Sequence, residues 1–333
     1  MIKPTIVLIG AGKFGKNHLR VLKELEAENQ CEFVGVVDKD EELLSEISKK
    51  YNLSVSNRID SFLTEKIDAF DVVTPSSTHY ELCKKILNKN INVFVEKPLT
   101  LSYDESRRLG SIALKKNLVL MVGHIFRYNA AVKKIKEIIS TDKNQKKYIY
   151  GHFLGLNNPQ YDMGSLYNYA VHHVDTYNYL LGELPTEVFC INGYYLERPN
   201  FEDVSLLTLK YPSGTMAHFE GSWLIPIKER SITIISKDYC IISDLLKQNI
   251  KLFHTGIENL NGKLIAFDNG FEDIKIDFKE PLKLELMDFI SSIKNKSIPD
   301  SNWTHALIIN RILDAALKSA KTSRRVKLNW ESK

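Results

Sequence analysis

Two short stretches of this chain hold side chains whose types and spacing suit proton chemistry. Asn92-Val93-Phe94-Val95-Glu96-Lys97-Pro98 ends an apolar run in an acid, a lysine and a proline. A lysine at the carboxyl end of a buried strand can polarise a hydroxyl or carbonyl, and burial lowers its pKa toward proton transfer. A solvated Glu96–Lys97 pair before a loop would be almost neutral in energy, and the dipeptide alone does not choose between these readings. A cis bond before Pro98 is equally undecided by sequence. The second stretch is Leu166-Tyr167-Asn168-Tyr169-Ala170-Val171-His172-His173-Val174-Asp175. In a helix, Asn168, His172 and Asp175 share one face, and His173 is turned about 100° away. An imidazole with a pKa of about 6.5 suits general acid–base work near neutrality. A core histidine bonded to a carbonyl is the competing reading, and the favourite from this stretch alone. Adjacent helical histidines do not readily converge on one ion, so no metal is expected from His172, His173 and Asp175.

What would position such groups begins at the N-terminus. Ile6-Val7-Leu8-Ile9-Gly10-Ala11-Gly12-Lys13-Phe14-Gly15 reads as a buried strand, a glycine turn and the start of a helix running from Lys16 to Leu25. Gly10 allows the tight turn, Gly12 lets backbone approach a pyrophosphate, and Gly15 lets helix and strand pack closely. The N–H groups at the helix start then face phosphate. A second strand, Val34-Gly35-Val36-Val37, ends in Asp38, at about the ~20-residue distance where a carboxylate accepts from ribose hydroxyls. Strand, helix and acid together imply dinucleotide binding. Asp38 favours NAD, because a 2′-phosphate would meet its charge, and Lys39 leaves NADP open.

Apolar runs at Thr5–Ile9, Phe33–Val37, Phe70–Thr74, Asn92–Val95 and Val119–Val122 alternate with amphipathic Lys13–Glu26, Glu41–Tyr51, Thr78–Asn88 and Tyr103–Lys116. This rhythm predicts an α/β, doubly wound parallel sheet. It changes after His124, so the expected domains are 1–123 and 124–333. Alternating segments at Tyr148–Gly155, Glu187–Tyr195, Val204–Tyr211, Thr215–Ser222, Arg230–Ile235 and Tyr239–Ile242 predict an antiparallel sheet built from hairpins. Helices are expected near Leu166–Leu181, Leu282–Asn295 and Trp303–Thr322, the last packing back on the first domain. Glu258-Asn259-Leu260-Asn261-Gly262 reads as a turn between two late strands.

At the junction, Gly123-His124-Ile125-Phe126-Arg127-Tyr128-Asn129 offers Arg127 as a phosphate or carboxylate clamp and Asn129 as a partner for a sugar hydroxyl. A structural role stands beside this for His124 and Tyr128. Ser222-Trp223-Leu224-Ile225-Pro226-Ile227-Lys228-Glu229-Arg230 brings an aromatic and two cations. Lys228 and Arg230 could hold a diphosphate, or solvate a packed hairpin around Trp223.

The whole-chain properties exclude several classes. A length of 333 residues with 44% hydrophobic and 26% charged composition fits a two-domain globular protein. The net charge of +4 is modest, and the basic clusters Lys143-Asn144-Gln145-Lys146-Lys147 and Ser323-Arg324-Arg325 read as solvated loops, so no nucleic acid is expected. Four dispersed cysteines suit a reducing cytoplasm. No secretory leader and no apolar run approaching the ~20 residues of a membrane span are visible.

Taken together, these residues resemble the Gfo/Idh/MocA family of glucose–fructose oxidoreductases and inositol dehydrogenases, over nearly the whole chain. The glycine turn, Thr74-Pro75-Ser76-Ser77-Thr78-His79, Glu96-Lys97-Pro98, Gly123-His124 with Arg127-Tyr128-Asn129, and His172 with Asp175 occur in the family's order. The resemblance implies a Rossmann domain followed by an α/β domain with an open, mainly antiparallel sheet, and homodimers or homotetramers formed through that sheet. It implies a cofactor site of Gly10, Gly12, Lys13, Phe14, Gly15, Asp38, Thr74, Pro75, Ser76, His79, Glu96 and Lys97. It makes Lys97 the hydroxyl-polarising lysine and His172 the acid/base, with Arg127, Tyr128, Asn129, Asp175, Lys228 and Arg230 toward substrate. Asn168 stands where sugar and inositol dehydrogenases often have aspartate; an amide orients a hydroxyl but takes no proton. Ala170 replaces a frequent glycine.

Ser222-Trp223-Leu224 with Pro226, Lys228 and Arg230, and Glu280-Pro281-Leu282-Lys283-Leu284-Glu285, look like members acting on nucleotide-linked amino sugars. The expected activity is hydride transfer between a sugar carbon, C3 of a UDP-linked amino sugar, and nicotinamide. The alternatives are a free-sugar or cyclitol dehydrogenase, an NAD-assisted elimination that returns the hydride, and a redox-silent NAD-binding regulator.

Overall fold

The computed structural model describes residues 3–63, 66–141, 147–198 and 200–330. They form two compact units, Met1–Ile125 with Glu280–Asn310, and Phe126–Lys279 with Arg311–Lys333.

In the first unit, short apolar runs become strands, those at Thr5–Ile9, Ala69–Val72, Asn92–Glu96 and Leu120–Gly123 almost wholly buried, as parallel strands commonly are. In chain order these elements are β1 (Thr5–Ile9), α1 (Gly15–Ala27), β2 (Glu32–Val37), α2 (Glu41–Tyr51), β3 (Ser54–Ser56), β4 (Ala69–Val72), α3 (His79–Asn88), β5 (Asn92–Glu96), α4 (Tyr103–Lys116) and β6 (Leu120–Gly123). The strands lie in the order β3-β2-β1-β4-β5-β6, every pair parallel. This is the Rossmann order, with its reversal between β1 and β4. Local signals set the helix ends. Asp40 caps α2 by accepting from the Leu43 N–H at 3.0 Å, Glu41 and Glu42 open the helix, and Asn52 ends it in the left-handed conformation.

The second unit begins with α5 (Ala130–Ser140), a helix absent from the sequence reading, and continues with β7 (Tyr148–Leu154). A π-helical turn, Leu166–Ala170, then runs into α6 (Val171–Leu181). There follow β8 (Glu187–Gly193), β9 (Val204–Lys210), β10 (Met216–Ser222), β11 (Glu229–Ile235), β12 (Cys240–Asp244), β13 (Asn249–Leu260) and β14 (Lys263–Ile274). The chain closes with α7 (Pro281–Asn295), α8 (Trp303–Thr322) and β15 (Val326–Lys327). The nine-stranded sheet has the order β14-β13-β12-β11-β7-β10-β9-β8-β15. All its pairs are antiparallel except β7 with β10. The hairpin expectation therefore fails at one place. β10 and β11 are consecutive, but β7 lies between them, so the Trp223–Lys228 link crosses β7 instead of turning a hairpin. The late turn is shorter than expected: Glu258, Asn259 and Leu260 belong to β13, and Asn261 (φ 52°) and Gly262 (φ 84°) join it to β14, the positive-φ pair that a two-residue hairpin favours.

Residues 280–310 follow the antiparallel sheet in sequence but group with the Rossmann unit. The apolar side of α7 explains it: Leu282, Leu286 and Phe289 are buried, with the Phe289 ring edge-on to Phe94 of β5 at 5.7 Å. Burial of this kind contributes roughly 1.5–3 kcal/mol per side chain, well above the surface pairs Arg20–Glu280 and Lys283–Glu28 beside it.

Of the basic cluster at 143–147, residues 143–146 lie outside the described residues. Lys147 is buried, which corrects its reading as a solvated lysine: just before β7, its N–H donates to Thr215 Oγ1 at 3.2 Å and its carbonyl accepts from the Met216 N–H of β10 at 3.2 Å. Ser323, Arg324 and Arg325 are exposed. All four cysteines are free thiols. No described helix is long and apolar enough to cross a membrane, and no metal-ligand cluster occurs among the described residues.

Candidate functional site

In the first unit the glycine turn has the backbone that its residue types require. Gly10 has φ 91°, and a Cβ there would stand 2.5 Å from the Val73 carbonyl oxygen. A Cβ on Gly15 would stand 2.0 Å from the Gly10 oxygen, whereas one on Gly12 would meet nothing within 4 Å. The first and third glycines are thus demanded by packing, and the second leaves open backbone. Gly12, Lys13 and Phe14 are exposed at the start of α1. Asp38, half-buried at the end of β2, accepts from the Ala11 N–H at 2.6 Å and from the Asp40 N–H at 3.0 Å. Its carboxylate is therefore fixed against the turn, where a ribose edge would lie.

Beyond β4, Thr74 and Thr78 share a hydroxyl hydrogen bond of 2.7 Å, Pro75 is exposed and Ser76 nearly buried. His79 is fully buried and bridges the Thr74 and Pro98 carbonyls at 2.9 and 2.8 Å. It has no surface to offer a ligand, which corrects its place among the cofactor contacts: its position is structural, tying this loop to the turn after β5. That turn carries Glu96, buried, and Lys97, half-buried, followed by a cis Lys97–Pro98 bond. Glu96 Oε2 accepts from the Lys97 N–H at 3.2 Å.

Sequence reasoning missed two groups beneath this surface, His18 of α1 and Asp71 of β4. His18 Nδ1 lies 2.8 Å from Asp71 Oδ2, and its Nε2 lies 3.3 Å from Glu96 Oε1. Burial alone would push the imidazolium pKa down, but the two carboxylates outweigh it and raise the pKa to about 10. The signal was an acid inside the otherwise apolar Ala69-Phe70-Asp71-Val72, since a buried charge needs a partner.

In the second unit, His172 is 8% exposed. Its ring stacks on Phe153 of β7 at 5.1 Å with the planes 3° apart, and lies 5.1 Å from Phe126. His173 is fully buried, bonded at Nε2 to the Ser231 carbonyl at 3.1 Å, and burial pushes its pKa down to about 3. The core-histidine reading thus fits His173, and His172 is the less enclosed of the two. Asn168 sits in the π-helical turn, half-buried, so the α-helical spacing assumed between it and His172 does not hold through that turn.

Five of the residues expected toward substrate, Arg127, Tyr128, Asn129, Asp175 and Arg230, are buried. Arg127 and Asp175, 5% and 2% exposed, are paired with each other: Arg127 Nε donates to Asp175 Oδ2 at 2.9 Å and Nη2 to Oδ1 at 2.7 Å. This bidentate fork lets each charge satisfy the other inside the unit. Asn129 is the N-cap of α5, its Oδ1 accepting from Ala131 and Val132 N–H and its Nδ2 donating to the Leu245 carbonyl at 2.9 Å. Tyr128 is buried. Arg230 lies nearly buried with its guanidinium 3.2 Å over the Phe153 ring, donating to the Glu229 carbonyl at 2.7 Å. Burial lowers its pKa to about 10. Lys228 is exposed. Trp223 is packed, as expected, with its N–H donating to Asp203 at 2.9 Å.

Comparison with known proteins bears on both units. Residues 5–124 match an oxidoreductase family model described as the NAD-binding Rossmann fold, and residues 144–328 match that family's C-terminal α/β domain. The chain belongs to the Gfo/Idh/MocA oxidoreductase family. It is 24% identical over 296 residues to UDP-N-acetylglucosamine 3-dehydrogenase of Acidithiobacillus ferrooxidans, covering 88% of this chain and 90% of that protein. It is 26% identical to scyllo-inositol 2-dehydrogenase (NAD(+)) of Bacillus subtilis, over 79% of this chain and 78% of that one. The solved structure of the A. ferrooxidans enzyme shares the fold at a TM-score of 0.82 and 21% identity, over 97% of this chain and 99% of that chain.

As a Gfo/Idh/MocA protein the chain binds NAD, and its turn fits that group: Gly12 leaves backbone open to a pyrophosphate and Asp38 is fixed beside it. Asp38→Ala is expected to weaken NAD by about 1.5–3 kcal/mol, the worth of a charged hydrogen bond, and to weaken NADP less. Calorimetric titration with both cofactors checks this; equal losses for the two would remove Asp38 from the ribose.

Proposed function

We propose that this oxidoreductase oxidises a secondary hydroxyl of a sugar, with Lys97 polarising the hydroxyl and His172 taking its proton. The observation that carries the reading is Lys97 itself, half-buried after the buried Glu96 at the carboxyl end of β5, in the same unit as the glycine turn. NAD, when bound, supplies the hydride acceptor. The other tasks belong to the chain. Lys97 donates toward the substrate oxygen, and His172, its ring plane set by Phe153, receives the proton. Asn168 orients without titrating. The presence of both Lys97 and His172 speaks against a redox-silent regulator.

For the substrate, the first candidate is a UDP-linked amino sugar oxidised at C3. Its support is the UDP-N-acetylglucosamine 3-dehydrogenase, matched over most of both chains. A free sugar or cyclitol is the second reading, and one observation favours it. Of the three cations expected to meet a diphosphate, Arg127 is bound to Asp175 and Arg230 is packed on Phe153, leaving Lys228 exposed. We take the enzyme to work in the cytoplasm as a homo-oligomer, through the sheet face on which Tyr148, Ile191 and Met216 are exposed. Sedimentation would test that assembly.

Titrating the NAD-loaded protein with UDP, UDP-N-acetylglucosamine, N-acetylglucosamine and scyllo-inositol, with product masses followed, tests the substrate. The nucleotide-sugar reading requires UDP alone to bind and the free sugar to bind far more weakly. Best binding by a free sugar or inositol replaces it with the second reading. A product mass unchanged by two hydrogens would instead indicate returned hydride.

A further inference from the structure

Asp71, His18 and Glu96 come from three elements, β4, α1 and β5, and meet inside the Rossmann unit. His18 and Asp71 are fully buried, and Glu96 is 8% exposed. Asp71 has no hydrogen-bond partner at Oδ1, so its charge depends on the imidazole at 2.8 Å. The other side of that imidazole faces Glu96 Oε1 at 3.3 Å, an ion-pair contact without hydrogen-bond geometry. Phe14 and Phe94 complete its surroundings, with ring centroids at 5.2 and 5.7 Å. The Glu96 carboxylate also lies over Gly123, its register partner on β6, where a Cβ would stand 2.6 Å from Oε1. Glycine at 123 is thus what leaves room for the acid, and a cation beneath is what makes burying it tolerable.

From this geometry we infer that His18 is a positioning residue: with Asp71 behind it, it anchors the Glu96 carboxylate, and through the Glu96–Lys97 N–H bond it fixes the backbone from which the Lys97 side chain projects. The inference rests on the reading of Lys97 as the hydroxyl-polarising group. Against burial, the two carboxylates hold the imidazole pKa up, at about 10, which favours its charged form. The same helix that begins at the glycine turn thereby reaches the turn after β5, and one side chain couples the dinucleotide loop to the lysine.

The test reads backbone protection first and turnover second. In the full-length protein without cofactor, hydrogen exchange at the Lys97 amide is compared in the native chain, in His18→Gln, and in the double variant His18→Leu with Asp71→Leu. The double variant removes both charges and leaves no carboxylate stranded at position 71. Both are expected to speed Lys97 exchange about tenfold, the worth of one hydrogen bond, while amides of Val7 and Leu8 in β1 keep their protection. On whichever sugar the panel identifies, kcat should fall by up to about 10²-fold, as for a misplaced catalytic group, with the KM for NAD little changed. Unchanged Lys97 exchange in the double variant overturns the inference, as does equal acceleration across β1. If no sugar is turned over, the proposed function fails while the exchange result still decides the role of His18.

Discussion

His172→Ala is expected to lower kcat by about 10²–10⁴-fold, the usual contribution of a general acid–base group, with the NAD dissociation constant held within a few-fold. Lys97→Ala should act on the same step, because a hydroxyl without its polarising cation is a poorer proton donor and hydride source. The core-histidine alternative predicts a different outcome. His172 stacks on Phe153 but keeps some surface, whereas its neighbour His173 is closed off and bonded to the Ser231 carbonyl. A packing histidine removed from such a stack would cost stability and leave kcat nearly intact. Steady-state kinetics on the identified sugar, run beside thermal melts of the same variants, distinguish the two. A His172→Ala enzyme that melts early but turns over normally would return His172 to the core.

The parts of the fold written in local periodicity were legible. β1, α2, α4 and α8 have the bounds that apolar spacing and capping residues imply, and the Asn261-Gly262 turn does what that pair of residues does elsewhere. Two kinds of feature were not. Pairing between distant strands leaves no local trace, so nothing near Trp223 discloses that β7 lies between β10 and β11. Residues with two uses were also misread. Asn129 signals a helix start as strongly as it signals a hydroxyl partner, and taking the second meaning hid α5. Arg127 and Asp175 were each assigned to substrate, because sequence cannot show that a cation and an acid 48 positions apart satisfy one another. The glycine turn and Asp38 could be named from sequence, because strand, helix and acid are local signals. The contacts of His18, Asp71 and Gly123 could not, since they depend on distances between elements and not on residue type.

That pairing gives the other large effect. Arg127 and Asp175 are almost wholly buried and joined by a bidentate fork, with the Arg127 guanidinium also 5.1 Å over the Tyr179 ring. Removing one partner strands the other charge away from water. Arg127→Met should therefore destabilise the second unit by about 3–5 kcal/mol, and Asp175→Leu by a similar amount. Replacing both leaves no stranded charge, so the double variant should recover most of the loss, because a well-packed apolar pair often equals a buried ion pair. Urea unfolding of the four proteins measures the cycle, and a non-additive term of several kcal/mol is its signature. Affinity for UDP, taken on the same samples, settles what Arg127 is for. A strut loses stability in the single variants and regains it in the double, with any UDP binding unaffected in the double. A phosphate clamp would do the reverse: Arg127→Met would stay folded to the same urea concentration and lose UDP, and adding Asp175→Leu would restore nothing.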